Sequence, residues 1–351
     1  MEQEYKYMVC TRCITFNHAT YITDAMNGFT MQETTFPVIT LIVDDASTDG
    51  EPDVIKHYLA DHFQTPYRTE ETEDYHLICA THKTNPNCTF VVFLLKYNHY
   101  SIKKNKTQYY KSEWIEKAKY CAFCEGDDYW IHPKKLQMQV DVLEKNIDCT
   151  MCHTSYMAYF DKIGRLVKSK DVLTNKPIQN ASDVFRGYRT RFLTIVFRTK
   201  SYLEALSADP FFFSRAFMMG DGQLVYEMAK RGHIIFIPEV MCVYRVHEGS
   251  ASRQRLKMSV RFALSCAEMQ LYAASRDKNP DINFFIERYE LALKNYLLFE
   301  PDYKVMFNYE NVPEIQPLPS WKRFIKRQKF IIKFYIGKKI GLLQKYFIKY
   351  Y

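Results

Sequence analysis

An α/β fold is predicted for this chain by two features of its amino-acid pattern. Apolar runs typical of buried strands alternate with segments whose apolar residues recur at helical spacing. Acidic and hydroxyl-rich loops follow several of these runs, and ligands in α/β sheets bind beyond the carboxyl ends of the strands. The 351 residues, 47% of them hydrophobic, are enough for one large or two ordinary domains with a full core.

The first part of the chain is predicted to open an α/β domain with a parallel sheet. We expect strands at 7–14, 37–43 and 90–95, and helices at 21–29 and 54–63. The residues between the second helix and the third strand are interpreted as a polar, irregular stretch. Residues 96–111, rich in Lys, Asn and Tyr, are interpreted as a surface insertion.

The remaining pattern predicts further strands and then helices. A short helix at 114–119 precedes an apolar strand that ends near residue 128, and a helix follows Pro133. Later elements are strands at 149–160 and 191–198, a helix from about 218, an apolar run at 234–243, and helices at 253–275 and 281–299. We therefore expect a main domain at 1–252, a helical extension at 253–311, and a linker with a basic tail at 312–351.

Three acids stand around one glycine at the end of the strand before Pro133, as Glu125-Gly126-Asp127-Asp128. Adjacent carboxylates repel each other unless a cation lies beside them. Carboxylate oxygens favour hard ions such as Mg²⁺ or Mn²⁺. The sequence thus favours a divalent metal site here, and the alternative is a solvated turn before a helix.

Other polar loops supply groups that suit a nucleoside diphosphate. Phe16 offers an aromatic face to a base, and Asp45 offers an acceptor that can read the base edge. A metal on Asp128 and the cation Arg245 would neutralise the pyrophosphate.

The order and spacing of these motifs resemble glycosyltransferase family 2, whose catalytic domain has the GT-A fold, a Rossmann-like mixed sheet flanked by helices. Ile14-Thr15-Phe16-Asn17-His18 is similar to that family's first loop. Val43-Asp44-Asp45-Ala46-Ser47-Thr48-Asp49-Gly50 is similar to its V-D-D-G-S-T-D-G signature. Glu125 to Trp130 resembles the metal-binding motif of bacterial members that assemble surface polysaccharides, and Tyr244 to Ser250 resembles a Y-R-x-H-x-x-S segment.

The resemblance implies an inverting transfer from a UDP-sugar to an acceptor hydroxyl. It implies that Asp45 contacts uracil within a pocket formed by Thr15, Phe16 and Asn17, and that Asp127 holds the sugar or the ribose. It further implies that Asp128, joined by His247, binds Mn²⁺ or Mg²⁺. The catalytic base that it implies is Asp221, in Gly220-Asp221-Gly222.

Simpler roles remain open for three of these residues. Asp221 is also a natural helix N-cap, His247 an ordinary loop or core histidine, and Arg245 a partner in a structural ion pair. Two other functions also remain open for the chain. One is a nucleotidyltransferase, although Thr15 to His18 lacks the glycine- and lysine-rich loop of such enzymes. The other is a membrane-tethered binding protein without turnover.

Three cysteine pairs have the Cys-x-x-Cys spacing of zinc sites, at Cys10/Cys13, Cys121/Cys124 and Cys149/Cys152. Each pair lies in or beside a predicted strand, where residues three apart point to opposite faces. We therefore expect small buried hydrophobic residues in a reducing compartment rather than zinc ligands.

The net charge of +8 belongs to the end of the chain. Residues 321–351 contain ten Lys or Arg and no acid, so the first 320 residues carry 8 − 10 = −2. Apolar residues recur there at helical spacing, from Trp321 and Phe324 onward. This basic amphipathic pattern favours an anionic membrane surface over nucleic acid, which requires no aliphatic stripe. The alternative is a stripe packed on the body or on another subunit.

The start of the chain, Met1 to Lys6, is acidic and polar, unlike a signal peptide, and no apolar run approaches the ~18 residues of a membrane span. We therefore expect a cytoplasmic protein that lies peripherally on the inner face of the cell membrane. A lipid-linked glycan acceptor would match that location.

Overall fold

The chain folds as two compact units in the computed structural model, which describes residues 5–169, 178, 180–188, 190–247, 256–305 and 314–340. The first unit contains Met1–Ile178, Arg189–Ala205 and Glu227–Val246, and the second contains Gln179–Tyr188, Leu206–Tyr226 and His247–Tyr351. The predicted domain boundaries at 252 and 311 lie outside the described residues.

Within the described residues, the first unit holds one sheet of eleven strands. The strands are β1 (Tyr7–Thr15), β2 (Val38–Asp44), β3 (Arg68–Glu71), β4 (Tyr75–Thr81), β5 (Cys88–Leu95), β6 (Ala118–Phe123), β7 (Tyr129–Trp130), β8 (Cys149–Phe160), β9 (Arg165–Lys168), β10 (Ile195–Arg198) and β11 (His233–Val246). Their order in the sheet is β3-β4-β5-β2-β1-β6-β10-β8-β11-β7, and β9 pairs with β8.

The strand directions bring many carboxyl ends to one edge of the sheet. β1 is parallel to β2 and β6, and β2 is parallel to β5. β10 is antiparallel to both β6 and β8, so β8 runs in the direction of β6, and β11 is parallel to β8. The sheet is therefore mixed, which confirms the predicted α/β fold class, and the three strands predicted for the first part of the chain are parallel to one another as expected.

Among the described residues up to 231, the α-helices are α1 (Ile22–Thr30), α2 (Glu51–His62), α3 (Lys135–Lys145), α4 (Thr199–Ala208) and α5 (Asp221–Arg231). α1 packs closely on β7, because a Cβ atom added to Gly28 would lie 2.8 Å from the main-chain nitrogen of Trp130. The Trp130 ring is buried, and its Nε1–H donates to the carbonyl oxygen of Leu193 at 2.9 Å. These contacts of Trp130 pack the segment that follows the acidic motif against the core.

A hairpin of β3 and β4 occupies the stretch that the sequence indicated as irregular. β4 pairs antiparallel with β5 and buries Leu77, Ile78, Cys79 and Ala80. A run of four apolar residues between polar segments is too short for its periodicity to identify it as a strand. Another difference concerns 191–198, where a helical turn (Phe192–Thr194) precedes the strand.

All ten cysteines are buried and unpaired. Burial raises the pKa of their thiols, for example that of Cys152 to about 12. Thiols of this kind pack as small hydrophobic groups, which confirms the interpretation of the Cys-x-x-Cys pairs as buried residues.

The second unit contains α6 (Leu256–Arg276), α7 (Ile282–Tyr296) and α8 (Ser320–Ile340). The two helices predicted after residue 252 are therefore present where the chain is described. Aromatic rings form much of the core, with Phe212 stacked on Tyr272 at 5.8 Å between centroids and Phe185 on Tyr226 at 4.7 Å. An ion pair of 2.6 Å between Arg276 and Asp209 lies beside them.

The basic helix α8 contacts the rest of its unit through only part of its circumference. The ring of Phe330 lies 5.9 Å from that of Phe299, and the Arg327 guanidinium lies 5.1 Å above the same ring. The predicted apolar stripe remains accessible, with exposed fractions of 62% for Trp321, 63% for Phe324, 47% for Ile325 and 55% for Ile332. Among the described residues, no helix has both the length and the apolar character needed to cross a bilayer.

Candidate metal and nucleotide site

A buried glutamate joins the loops that follow β1 and β2. Glu51, the first residue of α2, is fully buried, and one of its carboxylate oxygens accepts a hydrogen bond from the Thr15 hydroxyl. The other oxygen accepts from the His18 main-chain N–H at 2.9 Å and from the Ser47 hydroxyl at 2.8 Å. Sequence reasoning missed Glu51, although an acid in the first turn of a helix, where the dipole favours negative charge, was a signal for it.

Asn17 makes a second connection between the same two loops. Its side-chain oxygen accepts from the Thr48 N–H at 2.8 Å, and its own N–H donates to Ser47 Oγ at 2.8 Å. Asn17 has a φ of 57°, a conformation that Asn tolerates better than most residues. Thr15 is buried in this network, whereas the Phe16 ring is 41% exposed. Phe16 is thus the accessible aromatic surface of the loop.

The acidic motif packs directly on the first loop at Gly126. A Cβ atom at this position would lie 2.6 Å from Thr15 Cβ and 3.2 Å from His18 Nδ1. The Gly126 N–H donates to the carbonyl oxygen of Ile14 at 3.2 Å. Only glycine allows this approach, which brings the acids after β6 against the end of β1.

Three carboxylates converge beyond β6. One oxygen from each of Glu125, Asp127 and Asp128 lies within 4.8 Å of the others. Burial, together with the charge of Asp127, raises the pKa of the Asp128 carboxyl well above its ordinary value. His18 Nε2 lies 4.0 Å from Asp127. A hard divalent cation would offset this repulsion, so the donor set fits Mg²⁺ or Mn²⁺.

Asp45 anchors the segment that the sequence indicated as a surface insertion. Its Oδ1 accepts from the His99 N–H at 2.9 Å, and its Oδ2 accepts from the Tyr100 N–H at 3.2 Å and from Lys106 Nζ at 2.7 Å. Most residues of 96–111 are exposed or half-buried, as expected for a surface insertion, but His99 is fully buried beside Asp45. A buried carboxylate requires such donors, and sequence spacing does not show which distant residues will supply them.

The carboxylate of Asp45 is almost fully buried, since the residue is 2% exposed. A carboxylate offers roughly four lone-pair sites, and the three donors from residues 99–106 account for three of them. Contact with uracil stays a prediction for Asp45.

Arg245, near the end of β11, is 7% exposed. Its guanidinium pairs with Asp24 at 2.6 Å and with Asp161 at 3.6 Å. These are ion pairs of the structural kind that the sequence left open as an alternative. Binding of pyrophosphate by Arg245 stays a prediction.

Asp221 and His247 belong to the second unit. Asp221 is exposed at the start of α5, and its Oδ1 accepts from the Gly222 N–H at 3.0 Å. His247 is 8% exposed and directly follows β11. Ser250, the last residue of the motif that resembles Y-R-x-H-x-x-S, lies outside the described residues. The catalytic and metal-binding roles of Asp221 and His247 stay predictions.

No family model matches the chain. Uncharacterized protein Rv1520 of Mycobacterium tuberculosis is 26% identical over 234 residues, which cover 67% of this chain and 57% of that protein. Uncharacterized protein Mb1547 of Mycobacterium bovis matches with the same values. The alignment therefore spans little more than half the length of these curated relatives.

Two solved structures have a similar arrangement of elements. The S. aureus TarS 1-349 complex with UDP-GlcNAc is 14% identical, with a TM-score of 0.48 over 83% of this chain and 73% of that one. Mannosyltransferase PcManGT from Pyrobaculum calidifontis, in complex with GDP-Man and Mn²⁺, is 16% identical, with a TM-score of 0.49 over 82% and 72%. Likeness of this degree assigns no activity to the chain.

Proposed function

We propose that the chain is an inverting, metal-dependent glycosyltransferase of the GT-A fold and of the family 2 type that its motifs resemble. Its donor would be a UDP-sugar, and its acceptor a hydroxyl of a lipid-linked glycan in polysaccharide assembly. The observation that carries the proposal is the group of carboxylates from Glu125, Asp127 and Asp128, whose oxygens lie within 4.8 Å of one another.

The two connected loops support a donor site beside these carboxylates. The exposed Phe16 ring gives a base a surface to stack on, and the contact proposed for Asp45 is with the uracil edge. Thr15 and Asn17 hold the loop that carries Phe16. Asp128, joined by His247 as the resemblance implies, would hold the divalent ion, which when bound offsets the charge of the departing diphosphate. Asp127, beside Asp128, would hold the sugar or the ribose.

The proposed general base is Asp221. A carboxylate that takes the proton from the acceptor hydroxyl typically contributes ~10²–10⁴-fold to the rate. Attack on the face opposite the diphosphate would invert the anomeric centre. The exposed position of Asp221 at a helix start leaves its carboxylate accessible to an acceptor.

Calorimetric titration with UDP, with and without Mn²⁺, tests the proposal. We expect wild type to bind UDP more tightly with Mn²⁺, and Asp128→Ala to lose that enhancement, because the buried acid supplies a metal ligand. Asp141→Ala is the matched control, since Asp141 is an exposed acid on α3 and its removal should change neither affinity.

Absence of UDP binding in wild type under both conditions would contradict the proposed donor. Titration with GDP, CDP and ADP would then identify another nucleotide or exclude a nucleotide site. If wild type and Asp221→Asn both bind UDP and neither transfers a sugar, the result would favour the alternative of a binding protein without turnover.

We also propose that α8 places the protein peripherally on an anionic membrane surface on the cytoplasmic side. Phe330 and Arg327 contact Phe299, so the apolar stripe that begins at Trp321 faces away from this contact. A row of lysines borders the stripe at helical spacing, formed by Lys322, Lys326, Lys329 and Lys333. Lysines beside exposed aromatic rings suit the interface of anionic lipids.

Vesicle co-sedimentation tests the membrane proposal. The variant Trp321→Gln/Phe324→Gln should bind vesicles of phosphatidylglycerol and phosphatidylcholine at least tenfold more weakly, because burial of one large apolar side chain contributes about 2 kcal/mol. The matched control is Ile147→Gln/Ile163→Gln, which removes apolar residues that are 79% and 66% exposed elsewhere. Equal binding by the tail variant and wild type would contradict the proposal. A change in oligomeric state in the variant would instead favour a subunit contact.

A further inference from the structure

Arg245 contacts both neighbouring acids of the candidate metal site. Its main-chain N–H donates to Asp128 Oδ1 at 2.7 Å. Its side-chain Nε–H donates to the carbonyl oxygen of Asp127 at 2.9 Å. One residue of β11 therefore holds the side chain of one acid and the main chain of the other.

The other nitrogens of the guanidinium are held by two further acids. Nη2 lies 2.6 Å from Asp24 Oδ2 on α1, and Nη1 lies 3.6 Å from Asp161 Oδ1 after β8. The Tyr21 hydroxyl donates to the second oxygen of Asp161 at 2.9 Å. The guanidinium thus connects α1, the end of β8 and the acidic loop at fixed distances.

Aromatic rings surround the cation. The distances from the guanidinium carbon to the ring centroids are 4.6 Å for Tyr21, 5.1 Å for Tyr129 and 5.6 Å for Tyr159. Two carboxylates already compensate its single charge, and 8% of its side chain is exposed. A phosphate would have to displace Asp24 or Asp161 to reach the guanidinium. Such displacement is unfavourable because the planar guanidinium matches the geometry of carboxylates well.

We infer that Arg245 is a positioning residue that holds Asp127 and Asp128 in place for the metal, and that it does not bind the diphosphate. This inference rests on the proposed function for its metal. Asp127 and Asp128 need such a residue because their carboxylates repel each other, and adjacent carboxylates converge only where hydrogen-bond donors restrain them.

The test compares Arg245→Lys with wild type in the full chain. Lysine keeps the charge but cannot reach Asp127, Asp24 and Asp161 together. We expect the affinity for Mn²⁺ alone, measured from the free-ion EPR signal, to fall at least tenfold, while UDP affinity in EDTA changes less than twofold. Unchanged Mn²⁺ affinity with a tenfold loss of UDP affinity in EDTA would overturn the inference.

A second readout does not require metal. The N–H groups of Gly126 and Asp128 donate to Ile14 and Glu125 at 3.2 and 3.1 Å, and we expect their hydrogen exchange to be at least tenfold faster in Arg245→Lys. If wild type binds no Mn²⁺, the proposed function fails, whereas faster exchange still supports positioning and unchanged exchange overturns it.

Two further variants complete the design. Asp24→Asn removes one charged partner of Arg245, and the chain should fold because the Asp24 side chain is 51% exposed. We expect Mn²⁺ affinity to fall and hydrogen exchange to rise in this variant by about threefold each. If Arg245→Lys does not fold, unchanged exchange and Mn²⁺ affinity in Asp24→Asn overturn the inference. Arg186→Lys is the matched control, because Arg186 makes a 2.6 Å ion pair with Asp281 in the second unit and its replacement should change neither readout.

Discussion

Replacement of Gly126 by alanine is expected to abolish Mn²⁺-dependent UDP binding. The new methyl group would overlap the Thr15 side chain, whose Cβ lies only 2.6 Å from the ideal Cβ position. Thr15 cannot move away, because it is buried at the end of β1 and its hydroxyl is bonded to Glu51. The acidic loop must therefore shift, which displaces Asp127 and Asp128 from the geometry that groups their oxygens.

Steric strain of this kind typically costs about 1–3 kcal/mol of stability, so the fold should survive while the site is lost. Calorimetry with UDP and Mn²⁺ measures the loss, and circular dichroism checks the fold. Gly164→Asn is the control, because an added Cβ meets nothing within 4 Å there and Asn tolerates the φ of +57°. Partial recovery in Gly126→Ala/Thr15→Gly would identify the clash as the cause. Wild-type affinity in Gly126→Ala would contradict this account.

Glu51→Gln is expected to lower the thermal midpoint of unfolding and to weaken UDP binding. The carboxylate accepts from Thr15, His18 and Ser47 while fully buried. An amide presents N–H donors where one oxygen now accepts, so at least one buried donor loses its partner at a cost of about 1–3 kcal/mol. Loss of the negative charge at the start of α2 adds a smaller penalty.

Differential scanning calorimetry and UDP titration check this prediction. Asp53→Asn is the matched control, because Asp53 is an acid in the same first turn of α2 with a side chain that is 75% exposed. We expect that control to unfold within about 1 °C of wild type, since exposed ion pairs contribute little. Glu51→Gln with an unchanged midpoint and unchanged UDP affinity would show that the two loops are held by other contacts.

The fold class and the location of the candidate site could be predicted because both depend on local pattern. Strands such as β1 and β2 are continuous apolar runs, and the polar loops that follow them are adjacent in sequence. Parallel strands then bring those loops to one edge without further information. The hairpin of β3 and β4 could not be predicted in this way, because its polar strand Arg68–Glu71 has no apolar pattern.

Residues that act through a distant partner were the ones that sequence reasoning missed or left open. Lys106 is unremarkable among the lysines of its segment until the chain brings it 2.7 Å from Asp45. Arg245 is separated from Asp24 by more than two hundred residues, and the ion pair between them could not be predicted from the sequence. The spacing of residues along the chain does not identify such distant partners.

The sequence by itself determined that the chain forms an α/β sheet with three acids at a strand end, because hydrophobic period and residue type specify buried strands and carboxylate-rich loops. Only the tertiary structure decided how those loops fit together. Glu51 could serve both loops, and Gly126 could approach Thr15, only once the parallel register placed β1 between β2 and β6. Burial then makes a change at either contact costly. An extra methyl group has no free space in a close-packed interior, and an unpaired buried donor has no water to bond to.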